Sequence, residues 1–177
     1  MNKAKGNLQI GWAETDITPN EPVIISGQFH ARLPEAPPEP LTATALTLQT
    51  EQAHTVLVSC DLSNISDDLA ESVLNRVSAA EERPDIKCII INATHTHTGP
   101  EVRSTRMVRK EGRGVDVEAL GIDLPIMTPD EYIEFAGERI ATAVIKSWNT
   151  RRPGKVAWGM DYAVVGRNRR WVDVKGQ

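Results

Sequence analysis

The chain has 177 residues, of which 40% are hydrophobic and 25% charged, and its formal net charge is −4. That length suits one domain or slightly more, and a chain of this size hides roughly 70% of its unfolded surface. The proportions exclude a disordered tail, a collagen-like fibre and a membrane-embedded bundle. Twenty basic residues against twenty-four acidic ones leave no global basic field for nucleic acid.

Lys3 and Lys5 are not followed by an apolar stretch of the kind a secretory signal carries. Apolar runs such as Val23–Ile25 and Ile89–Ile91 fall far short of the ~20 residues a spanning helix needs. Cys60 and Cys88 each lie in an apolar, β-branched run without CxxC spacing, and small buried hydrophobes are the expectation for both. The expected compartment is therefore cytoplasmic.

Residues 19–40 hold six of the eleven prolines, which predicts an irregular, extended entry. From Leu41 to Thr50 the chain alternates Ala45 and Thr47 against Leu46 and Leu48, the period of a strand. Thr55–Leu62 follows as a strongly apolar strand, of the type buried on both faces. Ser66 is a good helix N-cap, with Asp67 and Asp68 at the positive end. Leu69, Val73, Val77 and Ala80 then recur at helical spacing, and the helix must stop before Pro84. Ile86–Asn92 is a further buried strand, so residues 55–93 make a strand–helix–strand unit with parallel strands.

After an irregular stretch over 94–128, Thr128-Pro129-Asp130-Glu131 has the form of a capping box. The helix it opens runs to about Trp148, and Arg151-Arg152-Pro153-Gly154 ends it. Lys155–Val165 is expected to return as a strand before the polar cluster Gly166–Arg170. The pattern is an α/β layered fold, a mostly parallel or mixed sheet flanked by helices, with an irregular proline-rich N-terminal segment.

The chemistry concentrates in Asn92-Ala93-Thr94-His95-Thr96-His97-Thr98-Gly99-Pro100, directly after a buried strand. Open α/β sheets place their ligands at that edge. In extended chain, residues two apart point to one side, so His95 and His97 aim into one crevice. Neutral imidazole suits zinc when an acceptor orients its second ring nitrogen. Asp61 ends the neighbouring strand and is expected to open onto the same crevice, because a carboxylate after an apolar run needs a partner. His30 and His54 read as ordinary surface histidines. The run Arg103, Arg106, Arg109, Lys110 and Arg113 reads as a solvated loop or as a flap meeting a polar substrate. The Arg167–Arg170 cluster offers forked donors for an oxyanion or carboxylate, or is simply a charged turn.

Four segments carry a resemblance to the neutral/alkaline (non-lysosomal) ceramidase family. Gly11-Trp12-Ala13 with Asp16-Ile17-Thr18-Pro19 resembles that family's opening, and Pro40–Leu46 is similar to its P-L-x-A-x-A-L strand. Val58-Ser59-Cys60-Asp61 resembles its acid-ended strand. Ala93–Pro100 is close to its A-T-H-T-H-S-G-P, the most specific of the four. Weaker similarity reaches Asn168-Arg169.

The resemblance implies the N-terminal portion of a zinc-dependent amidase that cleaves the N-acyl bond of ceramide or a related lipid amide, spanning residues 1–177. It implies His95 as a zinc ligand and His97 beside the reacting water; Asp61, which ends the matching strand, joins them as a candidate catalytic residue from its position at the same edge. Asn168 and Arg169 would then meet the substrate's polar part or the oxyanion. Thr98 and Arg170 depart from the family's serines, and its further zinc ligands have no counterpart before Gln177. An incomplete domain is therefore expected, its remaining ligands coming from a downstream segment. Other HxH metallohydrolases fit less well: Thr98-Gly99-Pro100 stand where a metallo-β-lactamase has an acid and a further histidine, and at least two strands precede the motif, unlike in amidohydrolase barrels. A metal-free binding or scaffold domain with structural histidines is the alternative from another class.

Overall fold

The computed structural model describes residues 7–27, 30, 32–34, 39–103, 126–166 and 172–176. Five strands, β1 (Gln9–Asp16), β2 (Thr42–Gln49), β3 (His54–Cys60), β4 (Ile89–Ala93) and β5 (Arg152–Pro153), form one sheet in the order β4-β3-β2-β1-β5. It is mixed: β1, β2 and β3 are antiparallel neighbours, while β3 and β4 run parallel. Among the described residues, two α-helices, α1 (Asp67–Ser78) and α2 (Pro129–Asn149), pack together, and α2 lies along β1 and β2. The α/β class and the parallel strand–helix–strand unit are as the sequence pattern predicts.

Both helices start where local chemistry dictates. The Ser66 side chain accepts from Leu69 N–H, and Asp67 and Asp68 occupy the first turn of α1. On α2, the Thr128 side chain accepts from Glu131 N–H while the Glu131 carboxylate accepts from Thr128 N–H.

The core lies between the helices and one face of the sheet. Ala43, Ala45, Val56, Val58 and Cys60 point inward against Leu69, Val73, Val77, Ile140 and Val144, all fully buried. Small residues on β1 and β2 let α2 approach closely: a side-chain carbon at Gly11 would fall 1.7 Å from the Ser147 carbonyl oxygen. Thr47, Ser147 and Tyr132 bring hydroxyls into this layer, and all three are paired, whereas His54 Nε2 is buried without a hydrogen-bond partner. Thr47 and Ser147 hydroxyls lie 2.8 Å apart, and the Tyr132 hydroxyl donates to Ile17 O at 2.8 Å. Burial pushes the Tyr132 phenol up and the Cys60 thiol up to about 12, which leaves that cysteine unreactive.

Three expectations are corrected. Ile86–Asn92 is not one buried strand: Ile86–Cys88 make a 3-10 turn, and β4 begins at Ile89 with positions that alternate between half-buried and exposed. The apolar strand 55–62 is buried on one face only, because both helices lie on the same side and Leu57 and Ile90 point away from them. Residues 155–165 do not form a strand. β5 pairs with Gln9 and Ile10, Gly154 N–H reaches Leu8 O, and the ladder ends there. The alternation of Val156, Trp158, Met160, Tyr162 and Val164 is present, but all five side chains are exposed. A strand exists only if a neighbour accepts its backbone hydrogen bonds, and among the described residues none does so. β1, in contrast, is a strand that the sequence pattern had not singled out.

Candidate functional site

Because β3 and β4 are parallel, their C-terminal ends meet at one edge of the sheet. Cys60 pairs with Ala93, Thr94 N–H donates to Cys60 O at 2.9 Å and His95 N–H donates to Leu62 O at 2.9 Å. His95 then takes φ of 65°, a left-handed conformation costly for a residue with a side chain, about 1–3 kcal/mol. The simple extended pair expected from the HxH spacing is thus replaced by a turn held by the end of β3. Both histidines still converge.

The His95 ring has a defined tautomer. Its Nδ1 lies 2.6 Å from the Ser63 carbonyl oxygen, which can only accept, so Nδ1 carries the hydrogen. In the neutral ring, Nε2 is left with a free lone pair. The Nε2 of His97 sits 3.3 Å from it, with the rings edge to face and their centroids 4.9 Å apart. Two nitrogens bonded to one tetrahedral zinc at about 2.0–2.1 Å stand about 3.3–3.4 Å apart. The spacing therefore suits a shared ion, and equally a proton passing between the rings. Among the described residues no group of three His, Cys, Asp or Glu gathers around a point, and a catalytic zinc takes about three protein ligands.

A second segment braces this loop from the far side. Ser26 N–H donates to Gly99 O at 3.0 Å, Glu101 N–H donates to Ile24 O at 2.8 Å, and Ile25 bridges Pro100. Arg32 Nη2 donates to the His97 carbonyl at 2.6 Å. Beneath the dyad, the Ser63 hydroxyl donates to Ser26 Oγ at 2.6 Å, and Ser26 Oγ donates to the Glu101 carboxylate at 3.3 Å. Glu101 is 3% exposed and paired with Arg103. Burial alone would raise its carboxyl, but hydrogen bonds and charge from Arg103, with a hydrogen bond from Ser26, outweigh that and hold it below the usual range. Ser26 and Arg32 come from one distant segment and Ser63 from just past the end of β3, so none of them carries a spacing signal relative to the histidines, and Glu101, four residues after His97, matches no ligand spacing read from the sequence.

No protein-family model and no curated protein matches the sequence. Solved structures do. The crystal structure of neutral ceramidase from Pseudomonas aeruginosa superposes with a TM-score of 0.62 at 17% identity, over 85% of this chain and 23% of that one. A ceramidase complexed with C2 gives 0.60 at 17% identity, over 85% and 22%. The fold is neutral-ceramidase-like. The chain spans less than a quarter of the length of either ceramidase.

Within this ceramidase-like fold, the predicted site residues divide three ways. His95 and His97 come together as described. Asp61 stands at the same edge, but its carboxylate accepts from Thr42 N–H at 3.0 Å, Thr42 Oγ1 at 2.9 Å and Thr94 Oγ1 at 3.3 Å, tying β2 to the start of the histidine loop. Asn168 and Arg169 lie outside the described residues, as does the basic run beyond Arg103. His54 packs edge-on against Trp148 with centroids 5.2 Å apart, a packing role. No described helix is long and apolar enough to cross a membrane.

Proposed function

We propose that this chain is the N-terminal portion of a zinc-dependent hydrolase that cleaves an N-acyl amide bond, in ceramide or a related lipid amide. One observation carries the reading: two imidazole Nε2 atoms lie 3.3 Å apart at the strand ends, one with its tautomer set by Ser63. Likeness of fold to neutral ceramidase supports the substrate class. His95 would hold zinc through Nε2, with the remaining ligands supplied by a downstream segment. Zinc bound there would lower the pKa of water towards about 7 and polarise the amide carbonyl. His97 takes up and returns a proton at Nε2 beside the reacting carbonyl. Asp61 holds the strand ends on which both histidines ride. Asn168 and Arg169 bind the polar part of the substrate, where the Arg169 guanidinium offers forked donors to the developing oxyanion.

Zinc analysis of the full-length protein tests this. About one zinc per chain is expected, lost in His95→Ala, together with turnover of an N-acyl amide. Zinc content unchanged by His95→Ala would sink the reading.

A further inference from the structure

We propose that Gly27 is a positioning residue: it is the seat on which the His97 ring rests, and the absence of its side chain sets the distance between the two imidazoles. The kinetic part of this proposal rests on the hydrolase reading above; the steric part does not. Gly27 has φ of 87°, the left-handed region that glycine adopts freely. A carbon attached to its Cα would lie 2.7 Å from His97 Cγ and 2.9 Å from both Cδ2 and Nδ1. The base of the imidazole therefore occupies the space where any other residue carries Cβ, while Nε2 extends beyond it to meet His95.

The seat cannot easily retreat. Ser26 N–H is bonded to Gly99 O and Ile25 N–H to Arg32 O, while the Arg32 side chain grips the His97 carbonyl. His97 is thus met at its ring by Gly27 and held at its backbone carbonyl by Arg32. A methyl group at position 27 must push the ring away by several tenths of an ångström, and a misplacement of about 1 Å can cost about 100-fold in rate. His95 is oriented separately, by Ser63, and does not depend on the seat.

A double-mutant cycle in thermal stability of the full-length protein separates contact from backbone strain. Gly27→Ala is expected to lower Tm, and the loss should fall by at least half when His97 is already alanine. An equal loss in both backgrounds would mean that the left-handed backbone alone matters, and would overturn the proposal. If Gly27→Ala does not fold but Gly27→Ala/His97→Ala does, the steric seat stands; if neither folds, it falls. In the kinetic arm, Gly27→Ala should keep its zinc while kcat for an N-acyl amide drops at least tenfold. Unchanged kcat, or zinc lost in step with kcat, would overturn the role. Should the wild-type protein bind no zinc and hydrolyse no amide, the hydrolase reading fails while the Tm cycle still decides the seat.

Discussion

On β3, Val56, Val58 and Cys60 face the helices and are completely buried, while Leu57 between them is 38% exposed. The same division runs across the sheet. Register places Trp12 opposite Leu46, Leu46 opposite Leu57 and Leu57 opposite Ile90, a row of four large apolar side chains on the face the helices leave open. The helix-covered face uses smaller residues, Ala13, Ala45 and Val58, in the row beside it. Size of side chain thus does not track burial here. What decides burial is which face the two helices reach, and close approach of a helix demands small residues beneath it.

Three substitutions test how deep that asymmetry goes, taken from the largest effect down. Ile140→Ala, in the helix stripe over the covered face, should cost about 2–5 kcal/mol in denaturant unfolding, since it leaves a cavity among close-packed neighbours. A cost below about 1 kcal/mol would show that the covered face is loosely packed. Glu101→Gln turns to a charge buried outside the sheet, in the loop after the histidines. Because the native carboxyl is held below its ordinary range, its contribution is present above that range and lost as pH falls through the lowered value. The variant should lose about 1.5–3 kcal/mol at neutral pH and show a flatter acid limb than the wild type. An unchanged acid limb would assign the acid sensitivity to other groups. Leu57→Thr, on the open face, should shift stability by no more than about 0.5 kcal/mol. A cost approaching that of Ile140→Ala in the full-length protein would mean that another layer covers this face.

Much of the fold is legible in the sequence, and the legible parts are local. Ser66 and Thr128 announce their helices because a cap is completed within three residues. The helical stripe of α2 and the alternation of β2 are read from neighbours in the chain. The His95/His97 pair is also visible by spacing, although its true geometry rests on a left-handed turn that spacing alone does not reveal. By contrast, residues 155–165 carry a strand's alternation without being a strand, and β1 is a strand without having been marked as one. In each case, pairing with a distant segment made the difference.

Read as a linear chain, the residues already fix the α/β class, the caps of α1 and α2, the parallel unit and the pair of histidines after its second strand. Each of these depends on residue type and short-range spacing. Folding adds the rest: among the described residues the helices cover one face of the sheet, Ser63 sets the tautomer of His95, Asp61 serves Thr42 and Thr94, and Gly27 lies beneath His97. Those contacts join residues 19 to 70 positions apart, and a hydrogen bond or a packed ring leaves no periodic trace across such separations. Chain topology brings the partners together, and the physical chemistry of each contact follows from that placement.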